Sequence, residues 1–174
     1  MQQHTQEQVY FVEVQQFRQW WIWLIVLAVA ALQWWGAYEQ LLMKRPFGDN
    51  PAPDAMLWVF FVLFGIGLPV LFVSAKLITV VRADGIYLRF VPFHFKMLRI
   101  ALSDVADFSA GQYSPLLDYG GWGIRMGREG KAYNVSGNMG VRLELADGRK
   151  LLIGSQQALD FVAAIERAKA DHKH

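Results

Sequence analysis

The sequence predicts an α+β membrane protein: a two-helix transmembrane hairpin followed by an antiparallel β-barrel or sandwich capped by a C-terminal helix. Three observations predict it. Two long uncharged apolar runs, fringed with tryptophan, fill much of the first half. Short alternating segments joined at Asp-Gly turns follow, and one amphipathic helical pattern comes last. The resulting division is an N-terminal cytoplasmic segment (1–17), spans over 18–43 and 56–76 with an extracytoplasmic loop (44–55) between them, a cytoplasmic domain (77–169) and a tail (170–174).

The first run reads Trp20-Trp21-Ile22-Trp23-Leu24 through Leu32-Gln33-Trp34-Trp35 to Tyr38, with no charge between Arg18 and Glu39. About 19 helical residues at about 1.5 Å each reach about 28 Å, one hydrocarbon core. Trp20, Trp21 and Trp23 at one end, and Trp34, Trp35 and Tyr38 at the other, make two girdles of amphipathic rings at headgroup spacing. These five tryptophans are the candidate membrane or partner contacts. A cleaved signal peptide fits poorly, because the stretch is too long and lacks a small-residue cleavage site. The second run, Met56 to Ser74, is uncharged before Lys76 and contains Gly65-Ile66-Gly67-Leu68-Pro69. Proline there removes a backbone donor and predicts a kink that neighbouring groups must compensate.

The connecting stretch Lys44 to Asp54 holds three prolines, a glycine and turn-forming Asp and Asn, so it is a loop and not a domain. Two spans return the chain to its starting side. Lys76, Arg82, Arg89, Lys96 and Arg99 follow the second span, against Lys44 and Arg45 in the loop, and the positive-inside rule then places both termini in the cytoplasm.

The remaining residues read as strands closed by a helix. Ile78-Thr79-Val80-Val81 and Ile86-Tyr87-Leu88-Arg89-Phe90 flank Ala83-Asp84-Gly85, and Val141 to Leu145 meets Leu151 to Gly154 across Ala146-Asp147-Gly148-Arg149, two Asp-Gly hairpins. Phe93 to Ile100 alternates weakly, and Val105 to Phe108 is a further short run. After Ser155, a plausible N-cap, Leu159, Val162 and Ile165 share one helical face.

Phe11 to Trp20, Arg45-Pro46-Phe47-Gly48-Asp49-Asn50-Pro51, Tyr119-Gly120-Gly121-Trp122-Gly123-Ile124-Arg125, Ala132 to Gly137 and Leu152-Ile153-Gly154-Ser155-Gln156 are spread along nearly the whole chain. In these stretches and in its element order the chain resembles the bacterial membrane-anchored pleckstrin-homology-like proteins, a family with two N-terminal transmembrane helices. The resemblance implies a PH-like domain and a topology. It implies no activity, and no lipid-binding motif carries over residue by residue.

The glycine-rich stretch Tyr119 to Gly140 is the most tempting site. With Arg125, Arg128 and Lys131 it could cradle an anion or lipid headgroup, since glycine lets backbone N–H groups converge. Its spacing matches neither the dinucleotide fingerprint nor the P-loop. The plainer reading, tight turns and bulges between bent strands with Trp122 in the core, is favoured.

Zero cysteine excludes disulfides, iron–sulfur clusters and thiol catalysis. His4, His172 and His174 lie in the tails, His94 stands alone, and Asp104 and Asp107 are three apart but Ser103-Asp104 reads as a turn, so no catalytic or metal constellation assembles. The expectation is a non-enzyme with no cofactor. Net charge is +2, and residues 76–174 carry 14 Lys/Arg against 10 Asp/Glu: compatible with an anionic leaflet, too sparse for nucleic acid. Two classes of function remain. The first is an accessory or scaffolding subunit of a larger bacterial membrane complex, of the respiratory or photosynthetic kind, because two helices cannot bury seven Trp and twelve Phe against each other. The alternative is a sensor of anionic headgroups or a small ligand.

Overall fold

In the computed structural model, which describes residues 8–127 and 129–171, the chain folds as two units. One comprises Phe17–Ser74; the other is assembled from the residues before and after it.

The helical unit holds α1 (Trp20–Leu42) and α2 (Asp54–Ser74), both long and apolar enough to cross a membrane. Ile22, Val26, Ala30 and Gly36 form the buried seam of α1, and Leu57 and Gly65 that of α2. Gly65 packs against α1, where an added Cβ would lie 3.3 Å from Cβ of Gln33. The irregularity expected at Pro69 takes the form of a π-helical stretch, Phe61–Gly67, directly before it. Pro69 has no N–H for the carbonyl four residues back, that of Gly65; Trp34 Nε1 donates to it instead, at 3.1 Å. The connecting loop is fastened by Gln40, whose Nε2 donates to the Ala52 carbonyl (2.7 Å) and to Asp54 Oδ1 (2.8 Å).

The second unit has two sheets. The first, β1 (Val9–Gln16), β2 (Lys76–Arg82), β3 (Gly85–Val91) and β4 (Leu98–Ala101), is antiparallel in that order. The second contains β5 (Val105–Gln112), β6 (Gly123–Gly127), β7 (Gly130–Asn134), β8 (Met139–Leu145) and β9 (Lys150–Gly154), in the order β5-β8-β9-β7-β6. A short helix α3 (Pro115–Tyr119) precedes β6, and α4 (Ala158–Asp171) ends the described chain.

Several expectations are corrected here. Among the described residues no strand of one sheet pairs with the other, so the sheets do not close into a barrel. The pairing is mixed, because β9 runs parallel to β7 through Lys131↔Leu151 to Tyr133↔Ile153. The domain is also larger than 77–169, since residues 9–16, read as a separate segment, supply its edge strand. That strand pairs Gln16 with Lys76, so the entire helical unit is an insertion between two neighbouring strands.

Both Asp-Gly hairpins form, for different reasons. In β8–β9 the turn needs Gly148 at φ +82°, and Asp147 accepts from the Arg149 N–H and guanidinium. In β2–β3 the turn residues are Ala83 and Asp84. Gly85 is required by close approach: a Cβ there would lie 2.7 Å from the Ile100 carbonyl on β4.

The core lies where α4 packs on β1, β2, β5 and β8. Its buried face is Ala158, Phe161, Ala164, Ile165 and Ala168 rather than Leu159, Val162 and Ile165; Leu159 is 75% exposed. Phe161 stacks on Phe11 with ring centroids 5.1 Å apart. Ser155 stands three residues before α4. Its Oγ accepts from the Gln157 N–H at 3.0 Å and donates to buried Glu13 Oε2 at 2.6 Å, while the Gln156 N–H donates to Glu13 Oε1.

Candidate functional site

Because β4 is only four residues long and the sheets do not join beyond it, a cleft opens between β4 and the β6–β7 side of the second sheet. Its volume is about 520 Å³. Leu98, Ile100, Met126, Tyr133, Leu145 and Leu151 supply apolar wall; Arg99, Lys131, Arg149 and Lys150 bring four cations against one carboxylate, Asp104. Three of the cations are paired at the surface: Arg99 with Asp84 (3.0 Å), Arg149 with Asp147 (2.6 Å) and Lys150 with Glu144 (3.7 Å). Lys131 lies over the Tyr133 ring, 4.9 Å from its centroid. Exposed ion pairs contribute at most about 1 kcal/mol each, so these cations can exchange a surface carboxylate for an incoming anion.

His94 lies behind the cleft wall, against Tyr133. Its ring stands edge-on to Tyr133, 5.6 Å away, and burial followed by the charge of Lys131 pushes its pKa below the usual imidazole value. Its Nδ1 accepts from the Phe90 N–H at 3.3 Å, its N–H donates to the Phe90 carbonyl at 2.8 Å, and its own carbonyl accepts from Arg89 Nε at 3.1 Å. The residue pins the β3–β4 loop to β3. Among the described residues no group of three or more His, Cys, Asp or Glu is placed to hold a metal.

The structure separates the basic residues singled out in the glycine-rich stretch. Met126 pairs with Lys131 and Arg125 with Ala132, and directly paired residues share a face, so Arg125 and Lys131 point to opposite sides of the sheet. Arg125 folds onto its own loop, Nε donating to the Trp122 carbonyl at 3.0 Å. Arg128 lies outside the described residues. Trp122 is half-buried, with Nε1 donating to the Gly137 carbonyl at 3.3 Å. The glycines serve the fold: Gly130 has φ +98°, and a Cβ there would run into the Lys150 carbonyl of β9.

The five tryptophans divide. Trp23 belongs to a cluster with Phe17 and Phe72, its Nε1 donating to the Phe17 carbonyl at 2.9 Å. Trp34 is committed to Gly65 and to an edge contact with Phe61 at 4.9 Å. Trp34 nevertheless keeps 57% of its surface exposed; Trp20 (75%) and Trp35 (61%) face outward, and Trp21 is 40% exposed. Sequence reasoning missed Arg99, Arg149 and Lys150 as a group, because they come from two strands and a turn that only the sheet packing brings together.

The architecture defines a class: an α+β protein in which an apolar helical pair is inserted into a two-sheet domain bearing a basic, apolar-walled cleft. The chain belongs to a family of unknown function (DUF6141), which it matches over residues 2–172. No curated protein matches it.

Proposed function

We propose that this is a non-enzymatic, membrane-anchored interaction protein of the bacterial inner membrane, an accessory or scaffolding subunit of a larger complex of the respiratory or photosynthetic kind. In this reading α1 and α2 span the bilayer, both termini are cytoplasmic, and the two-sheet domain is PH-like. The carrying observation is the ladder pair Gln16↔Lys76. With the helical unit inserted between paired strands, the domain is tethered at two adjacent points, an arrangement suited to presenting a surface at the membrane. The narrow buried seams of α1 and α2 leave Trp20, Trp35 and much aliphatic surface for lipid or further helices. Purification from native membranes in mild detergent tests this reading. The protein should travel with a defined set of membrane subunits; migration alone in every detergent tried counts against it.

A second reading, a sensor of anionic headgroups or a small anionic ligand, is favoured by Arg99, Lys131, Arg149 and Lys150 around an apolar cleft. Binding of such a ligand by the full-length protein in nanodiscs should fall in a Lys131→Gln, Arg149→Gln double variant. Unchanged binding would remove the cleft from consideration.

A further inference from the structure

The β3–β4 loop, residues 92–97, exposes more apolar surface than any turn requires. Phe95 is 89% exposed and Phe93 57%, with Met97 and Leu98 also open to solvent. The exposure is built in. The three hydrogen bonds joining His94 to Phe90 and Arg89 hold residue 94 inward, and Phe93 leans on Phe90 at 5.9 Å, so its neighbours on the loop project outward from a fastened turn. Phe95 in that position buries almost nothing within the domain, and Phe93 keeps more than half of its surface open.

The register places this loop at a particular edge. Gln16 pairs with Lys76, and Lys76 pairs with Val91, so these three residues stand side by side at one end of the first sheet. Adjacent strands are about 4.8 Å apart, which puts all three within about 10 Å. The chain leaves that edge after Gln16 for α1, returns to it at Lys76, two residues after Ser74 at the end of α2, and departs from it again at Val91 into the exposed loop. Charge fits a lipid surface as well: residues 85–103 contain Arg89, Lys96 and Arg99 and no acidic residue.

We infer that the β3–β4 loop is a membrane-dipping anchor, inserting Phe93, Phe95 and Met97 at the headgroup level of the bilayer crossed by α1 and α2, with Lys96 beside lipid phosphates. It rests on the spanning reading of those helices. Aromatic side chains favour that depth, and a third contact beside the two chain crossings would limit rotation of the domain about its tethers.

The cysteine-free sequence allows single-site labelling. Full-length Phe95→Cys, Met97→Cys, Leu63→Cys and Leu159→Cys proteins, each carrying an environment-sensitive fluorophore, would be placed in nanodiscs containing phosphatidylglycerol and nitroxide lipids. The probes at 95 and 97 should be blue-shifted and quenched several-fold more by shallow nitroxides than the probe at 159, which lies on the exposed face of α4. Quenching of the probe at 63 by deep nitroxides reports the span independently. If 63 is quenched while 95 and 97 behave like 159, the anchor is overturned and the spanning reading stands. If 63 is also unquenched, both readings fall. Shielding of 95 and 97 only when partner subunits are added would make the loop a protein contact and overturn the lipid assignment.

Discussion

Trp34 of α1 donates through Nε1 to the carbonyl of Gly65 on α2, the acceptor that Pro69 leaves without its usual helical partner. One hydrogen bond thus ties the proline irregularity of one helix to an aromatic residue of the other. Trp34→Phe keeps an aromatic ring against Phe61 and removes the indole donor. Interhelical hydrogen bonds in membranes contribute about 0.6–2 kcal/mol, so the variant should unfold earlier in detergent titrations by about that amount. An unchanged midpoint would show that Gly65 is satisfied another way.

Trp35, beside it in sequence, faces outward, and Trp35→Leu should leave that midpoint alone. If neighbouring subunits cover this face, the same change weakens co-purification of the complex through lost shape complementarity. Neutralising Arg125 and Lys131 should affect binding to anionic liposomes more than assembly. The reverse pattern would move partner recognition to the two-sheet domain.

Glu13 is 8% exposed and holds the start of α4 through Ser155 and the Gln156 N–H, 142 and 143 residues away. Glu13→Ala orphans both donors and should destabilise the domain by about 1–3 kcal/mol in thermal unfolding. Ile165→Asp, which places a charge among fully buried side chains, should cost several kcal/mol; a neutral result would mean that α4 is not docked.

His94 makes the loop pH-sensitive. Its folded pKa is depressed, so the neutral ring's contribution is fully present above the unfolded value near 6.5 and is lost as pH falls through the lower folded value. Protonation also abolishes Nδ1 as acceptor for the Phe90 N–H. Below about pH 6.5, amide exchange at Phe90 should rise beyond its intrinsic pH trend. His94→Asn should abolish that pH-dependent part.

Gly130→Ala would force a side chain into the Lys150 carbonyl at positive φ. It should cost about 1–3 kcal/mol or more, and open the β7–β9 pairing, seen as lost exchange protection at Lys131 to Tyr133.

What could be read locally was read from local patterns. The two apolar runs, the two Asp-Gly hairpins and the final helix are each encoded within about 25 consecutive residues, where hydrophobic length, turn chemistry and periodicity suffice. The reading failed where burial reverses polarity. In β1 the valines Val12 and Val14 face out while Glu13 and Gln15 (3% exposed) face in, so the alternation is present with its sign inverted. Nothing in residues 9–16 announces that Ser155 and the Gly154 carbonyl will receive those polar groups. The α4 face failed for a related reason: the small side chains of Ala164 and Ala168 are fully buried where the helix packs on the strands, whereas Leu159, more apolar, is 75% exposed.

By itself, then, the sequence determined the helices' length and apolarity, the positions of the tight turns and the absence of cysteine chemistry, since each depends on neighbours in the chain. Tertiary structure alone decided that residues 9–16 belong to the domain, that β9 lies between β8 and β7 and runs parallel to β7, that Arg125 and Lys131 part company, and that Arg99, Arg149 and Lys150 surround one cleft. Those outcomes depend on strand order and register, where a shift of one residue reverses every side chain, and register is set by contacts between segments far apart in sequence.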